Sequence, residues 1–210
     1  MALFLHGDVD DRLWAVWKTE ETADVLLSFL PVKQQEACRL GMERFTALSR
    51  KLEWLSVRVL LYTVLQEEKD IAYTPEGKPF LADHSYFISI SHTRGYVALA
   101  LSKSGPLGID IEQYGKKVHR VVERFVRSDE SVCPYQGDDT WSLLLHWSAK
   151  EAVYKRMEHP DADLCKLRLL PFVPQRQGTF CVQEEMTALR RKFDVGYQIH
   201  SGFVLTWTLT

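Results

Sequence analysis

Cysteine is scarce and scattered in this chain. The four present in 210 residues, Cys38, Cys133, Cys165 and Cys181, form no C-x-x-C pair and no Cys/His cluster, so neither a zinc site nor a disulfide framework is expected. They read as reduced thiols of a cytoplasmic protein. Long apolar runs are lacking too: nothing approaches the roughly 20 residues of a membrane span, and residues 1–10 carry no basic segment of a secretory leader. Neither sign of charge dominates. With 26 Lys+Arg against 28 Asp+Glu the formal net charge is −2, which excludes a generally basic nucleic-acid binder but leaves local basic patches open. No G-x-S-x-G elbow, tandem repeat or low-complexity segment occurs, which argues against an α/β-hydrolase, a solenoid and a disordered chain. A protein that meets neither membrane nor nucleic acid is expected.

What is there is an ordinary globular composition, 46 % hydrophobic and 26 % charged, in a length that suits one well-buried domain or two small ones. Short apolar segments at 3–6 and 13–17 predict two strands, and 20–68 reads mostly as helix, interrupted near Pro31 and Gly41. Pro75, Gly77 and Pro79 mark a loop. After it, 86–91, 96–101 and 107–112 predict three strands close enough for an antiparallel meander, joined by turns at 93–95 and 103–106. Helical pattern returns at 116–127 and at 139–158, ended by Pro160, and three strands are expected near 167–170, 179–183 and 203–208. The stretches on either side of 103–106 have comparable content. The expected fold class is therefore α+β, with an N-terminal half over 1–105 and a C-terminal half over 106–210.

Residues 147–155, W-S-A-K-E-A-V-Y-K, are the most informative stretch. In a helix at about 100° per residue counted from Trp141, Glu151 falls near roughly 280° and Lys155 near roughly 320°, inside an apolar arc shared with Trp147, Leu144, Ala152 and Leu145. Charges there must be paired, metal-bound or ligand-bound; the plainer alternative is an ordinary i,i+4 pair. Lys150 points away from Glu151, near roughly 180°, so Lys150→Ala should cost far less activity than Lys155→Ala. In L-G-I-D-I-E, residues 107–112, strict alternation sends Gly108, Asp110 and Glu112 to one face. Two carboxylates then stand roughly 7 Å apart, with room beside Gly108 for a hard cation such as magnesium. A solvated outer strand face is the alternative. The strand 86–92 ends in Ser91 and His92, donors suited to phosphate oxygens. Gly77-Lys78-Pro79 projects a lysine from a loop, because proline holds the preceding residue extended. Arg44, Arg50, Lys51 and Arg58 form a basic run along the N-terminal helix.

In this order, G-K-P, S-I-S-H, G-I-D-I-E and W-S-A-K-E-A-V-Y-K resemble the signature set of the 4′-phosphopantetheinyl transferases, specifically over about residues 77–155 and more loosely elsewhere. Length and two-part organisation resemble the larger class, in which one chain folds as an intramolecular pseudo-dimer of two similar α+β halves. A monomer is expected. The resemblance implies an enzyme that moves the phosphopantetheine arm of coenzyme A onto a serine of an acyl or peptidyl carrier protein of fatty-acid, polyketide or nonribosomal peptide synthesis, releasing adenosine 3′,5′-bisphosphate. Carried over by motif position, Asp110, Glu112 and Glu151 would hold magnesium or manganese, and Glu151 would take the proton of the attacking serine. Lys155 would bind phosphate and help hold Glu151, while Lys78, Ser91 and His92 would contact the nucleotide and its phosphates. Two departures stand out. Ile88 stands where an aromatic residue is often found, and Tyr62 stands near the position of an arginine, which leaves Arg50 and Lys51 as expected ligands of the 3′-phosphate.

Residues 116–127 carry Lys116, Lys117, Arg120, Arg124 and Arg127 against Glu123 alone, on a chain that is acidic overall. With Val121, Val122 and Phe125 interleaved, this segment is the expected dock for a carrier protein, whose recognition helix in this reaction is generally acidic. A solvated basic helix is the alternative. Two rival functions remain in view, a non-catalytic binding relative and another magnesium-dependent phosphoryl enzyme. The first should have lost a carboxylate or the lysine, yet Asp110, Glu112, Glu151 and Lys155 are all present; the second needs no surface for a protein partner.

Overall fold

The computed structural model describes residues 3–9, 11–157 and 163–209. The chain divides into two compact units, Met1–Ser104 and Gly105–Thr210. Among the described residues no helix is long and apolar enough to cross a membrane.

The first unit opens with an antiparallel hairpin, β1 (Leu3–Val9) and β2 (Arg12–Lys18), followed by α1 (Ala23–Ser28), α2 (Val32–Glu43) and α3 (Leu48–Leu65). A small hairpin, β3 (Ile71–Tyr73) and β4 (Pro79–Leu81), precedes β5 (Phe87–Thr93) and β6 (Tyr96–Ser102). The four long strands form one antiparallel sheet in the order β1-β2-β6-β5. Alternation along β2 and β6 puts Ala15, Trp17, Val97, Leu99 and Leu101 into one core with Leu55, Val59, Leu60 and Leu61 of α3. The break expected near Gly41 falls just after it, α2 running through Gly41 to Glu43. A Cβ on Gly41 would fall 2.5 Å from the Trp54 ring, so this glycine lets α3 pack closely, and the chain turns at residues 44–47.

The second unit contains β7 (Ile109–Gln113), a 3-10 helix (Lys116–Arg124), α4 (Asp139–Arg156), a 3-10 turn (Leu164–Lys166), β8 (Leu167–Leu169), β9 (Gln177–Glu184), β10 (Lys192–Ile199) and β11 (Phe203–Thr208). Its five strands form one antiparallel sheet, β7-β11-β10-β9-β8. The expected meander is overturned: β7 does not pair with β6 but with β11, Asp110 standing opposite Thr206. Beyond β6 the Ser104 N–H is taken by Asp11 at 2.8 Å, and Pro106 has no N–H with which to continue a ladder. Strand β10 is missing from the three expected in this region. It lies between β9 and β11, and its Phe193, Val195, Tyr197 and Ile199 alternate and are all buried.

Helix α4 starts where the sequence predicts. Asp138 caps it, accepting the Thr140 N–H at 2.8 Å and the Tyr114 hydroxyl at 2.6 Å, while Asp139 at the start and Lys155 and Arg156 at the end complement the helix dipole. The predicted end at Pro160 lies outside the described residues, as does Glu158. The helix is buried around most of its circumference, and Lys150, on the side away from Glu151, lies in the interior. That residue is 0 % exposed and pairs with Glu130 at 2.7 Å while also donating to the Phe125 carbonyl. Glu130 in turn accepts the backbone N–H groups of Arg127 at 2.7 Å and Leu169 at 2.5 Å. Burial pulls the Lys150 ammonium down from its ordinary pKa, and Glu130 opposes that.

Removing one member of such a pair strands the other charge in the interior. Lys150→Ala is therefore expected to lower the unfolding free energy by about 3–5 kcal/mol, measured by urea denaturation. A loss below about 1 kcal/mol, the scale of an exposed pair, would contradict the buried pairing.

Candidate active site

The site is built where α4 presses against β7. A Cβ on Gly108 would fall 1.7 Å from the Ala152 carbonyl oxygen, so only glycine allows the helix backbone to approach the strand this closely. The room expected beside Gly108 for a cation is therefore filled by the helix. The solvated-face alternative also falls: Asp110, on the same side of the strand, is 3 % exposed, and Glu112 is half-buried. Lys155 Nζ donates to Asp110 Oδ1 at 2.7 Å and to the Ile109 carbonyl at 3.1 Å. Trp147 Nε1–H donates to Glu112 Oε1 at 2.8 Å, and the Ser148 and Thr206 hydroxyls, 2.8 Å apart, tie α4 to β11.

Glu151 and Lys155 do not lie on the buried side of α4, contrary to the apolar-arc reading. Trp141, Trp147, Glu151, Tyr154 and Lys155 form its partly open side, and His146, Lys150 and Val153 form its closed one. Lys155 thus pairs with Asp110, and its charge also acts on Glu112 and Glu151. Burial and the charge of Asp110 push the Glu112 carboxyl up to about 7, with the Trp147 bond and Lys155 pulling the other way. Burial and Asp110 also raise Glu151, again opposed by Lys155. Among the described residues no three His, Cys, Asp or Glu side chains come together as a ready-made metal cluster. The donor set nevertheless suits a hard cation, since it offers carboxylate oxygens whose mutual repulsion a divalent ion relieves.

In the first unit, Lys78 stands exposed on the β3–β4 loop after Gly77, whose φ of 86° favours glycine, and its N–H is accepted by the Thr74 hydroxyl at 3.2 Å. Ser91 is buried near the end of β5 and His92 beside it is exposed. Arg50 Nη1 lies 3.1 Å from His92 Nε2 and 3.2 Å from Glu53, with Lys51 half-buried next along α3. The structure thus brings Arg50 to His92 and Asp110 to Lys155, whose charge is also felt by Glu112 and Glu151.

Of the basic segment, Lys116, Lys117, Arg120 and Arg124 are exposed on the 3-10 helix. Arg127 is not available in the same way: it bonds Asp129 at 2.8 Å, Glu185 at 3.0 Å and the Cys165 carbonyl at 3.0 Å. Phe125, expected as an apolar contact, is 0 % exposed, because the chain turns inward here toward Lys150. The sequence reading missed Trp147 as the donor to Glu112, although its helical phase, roughly 40° from Glu151, would have suggested it. All four cysteines are free, as expected.

Residues 106–208, nearly the whole second unit, match the model of the 4′-phosphopantetheinyl transferase superfamily. This unit is similar to that superfamily. The 4′-phosphopantetheinyl transferase ffp of Bacillus subtilis is 29 % identical over 146 residues, covering 66 % of this chain and 64 % of its own length. The Synechocystis sp. protein slr0495, whose name gives the same activity provisionally, is 27 % identical over 154 residues, 61 % of this chain and 63 % of its own. The transferase AcpT of Salmonella typhi is 39 % identical over a shorter stretch of 64 residues, 30 % of this chain and 33 % of its own. The chain thus spans less than two thirds of the length of the relatives it matches.

The strain on Glu112 has a pH signature. Its folded pKa lies above the unfolded value, so in the absence of metal its contribution is intact at low pH and is lost as pH rises through about 7. Glu112→Gln keeps an acceptor for Trp147 and removes the charge. Chelator-treated Glu112→Gln is expected to be more stable than the unsubstituted protein by about 1–3 kcal/mol near about pH 8, the gap closing by about pH 4. Thermal melts at the two pH values check this, and a gap that widens on acidification would contradict it.

Proposed function

We propose that this protein transfers the 4′-phosphopantetheine arm of coenzyme A to a serine of an acyl or peptidyl carrier protein and releases adenosine 3′,5′-bisphosphate. The observation that carries the reading is the Asp110–Lys155 pair at the α4–β7 contact, with the Glu112 and Glu151 carboxyls raised beside it, in a chain whose second unit matches the transferase superfamily. Asp110, Glu112 and Glu151 would hold magnesium or manganese, which when bound neutralises charge on the diphosphate. Glu151, its carboxyl raised by burial, suits removal of the serine proton. The serine oxygen forms a bond to the phosphorus next to the pantetheine, and the phosphorus–oxygen bond to the nucleotide breaks, its electrons leaving with the bisphosphate.

Lys155 supplies positive charge for a phosphate oxygen from its place between Asp110 and the Ile109 carbonyl. Lys78, Ser91, His92, Arg50 and Lys51 bind the nucleotide and its phosphates; the closeness of Arg50 and His92 supports the pairing of those two. Lys116, Lys117, Arg120 and Arg124 dock the acidic carrier, and Arg127, held by its own ion pairs, instead shapes the segment that follows them. The protein works in the cytoplasm, in keeping with its free cysteines, and as a monomer, like the class it resembles. Presence of all four of Asp110, Glu112, Glu151 and Lys155 favours an enzyme over an inactive binding relative.

Intact mass of candidate apo-carrier proteins after incubation with coenzyme A and magnesium tests the reading directly. A gain of one phosphopantetheine group is expected, and no gain with any carrier would refute it. Glu151→Gln should lower the transfer rate by several orders of magnitude, and Lys155→Ala should lower kcat/KM by the equivalent of about 2–4 kcal/mol. A Glu151→Gln enzyme within tenfold of the unsubstituted rate would remove that residue from the chemistry. Reversing charge at Arg120 and Arg124 should raise KM for the carrier but not for coenzyme A, an effect that shrinks as salt rises; unchanged KM values at low salt would place the dock elsewhere.

A further inference from the structure

A cavity of about 420 Å³ opens in the first unit against α2, α3 and the residues around β3, and none of the residues assigned above to coenzyme A lines it. Arg58 of α3 stands on its wall. The guanidinium lies 3.4 Å over the Trp54 ring, Nη1 donates to the Trp54 carbonyl at 3.0 Å, and Tyr73 is its other polar neighbour. Among the described residues no carboxylate pairs with it. Burial draws its pKa down, and Arg44 does so further. Arg44, also without a carboxylate partner among the described residues, comes to 5.0 Å from the same ring. The Trp54 indole N–H is buried and has no acceptor among the described residues. Lys69, also on the wall, is satisfied by Glu67 at 2.9 Å and Asp83 at 2.7 Å. Of the wall's acids this leaves Asp70, which is exposed, against the two guanidiniums.

Holding a partly desolvated guanidinium with no anion costs free energy that an apolar side chain of similar length would not. A purely structural position would be better filled by methionine. Two guanidiniums on the wall of a space of this size are, by contrast, suited to a small ligand, since the guanidinium fork matches the oxygens of carboxylate and phosphate. We propose that this cavity binds a small oxyanion-bearing molecule, a phosphate ester or a carboxylate, at a site separate from that for coenzyme A. Arg58 and Arg44 hold the oxyanion, beside the Trp54 ring. The proposal does not rest on the transferase reading, and its test uses no transfer activity.

The Trp54 indole N–H resonance, assigned by its disappearance in Trp54→Phe, reports on the cavity alone. Titration of the full chain with inorganic phosphate and, separately, with succinate is expected to shift this resonance saturably with at least one of the two, the responding probe telling phosphate ester from carboxylate. Arg58→Met should weaken that response at least tenfold while leaving the melting temperature unchanged or higher. If Arg58→Met does not fold, Arg44→Gln, altered at an exposed side chain, carries the same test. No saturable shift with either probe overturns the proposal, and so does a titration that neither substitution weakens. Coenzyme A should neither move the resonance nor block the shift; if it does, the cavity is part of the coenzyme A site and the claim of a separate site fails.

Discussion

At Gly108 the backbone of β7 lies so close to the Ala152 carbonyl of α4 that no side chain fits between them. Because strand side chains alternate, the face that is bare at 108 carries carboxylates at 110 and 112, and the helix pressed against the first meets the other two. Lys155 reaches Asp110 from one end of the contact, and Trp147 reaches Glu112 from the other. The same approach removes water from those carboxylates and from Glu151, which is why Glu112 and Glu151 hold their protons more tightly than exposed acids do. A wider gap would give a hydrated acidic strand beside a helix. The close one gives a group of acids under strain and short of positive charge.

Adjacent residues on α4 serve opposite ends. Lys150 points into the interior and closes a pair with Glu130, whose carboxylate also gathers backbone N–H groups of Arg127 and Leu169. Glu151, about 100° further round the helix, faces the open side. The rotation of α4 is thus fixed from both sides, by the buried pair at its back and by the Ser148–Thr206 and Trp147–Glu112 bonds at its front. The cap at Asp138, bonded to Tyr114 just after β7, holds the start of the helix near the end of the strand.

The sequence made the members of the site legible and left its environment dark. Alternation put Gly108, Asp110 and Glu112 on one face, and helical phase put Glu151 and Lys155 on another, because both rules depend only on neighbours along the chain. Which faces are covered depends on distant residues. Tryptophan reads as apolar, yet Trp141 and Trp147 line the partly open side of α4, while the back of that helix holds His146 and Lys150. A helix enclosed nearly all round has little contrast between its faces, and the burial of Lys150 was not legible because Glu130, its partner, lies 20 positions away. Strand partners failed for the same reason: β7 pairs with β11 across about half the chain. The miss at β10 was avoidable, since Phe193, Val195, Tyr197 and Ile199 alternate plainly.

The central claim is that close packing of α4 on β7 crowds and dries the carboxylates of the site. Titration of carbon-labelled glutamate side chains in the metal-free protein by nuclear magnetic resonance, with the Glu112 signal identified by its loss in Glu112→Gln, measures this directly. The account predicts a midpoint for Glu112 near 7; a midpoint at the ordinary 4.5 would show that the carboxylate is neither dehydrated nor crowded, and would contradict it.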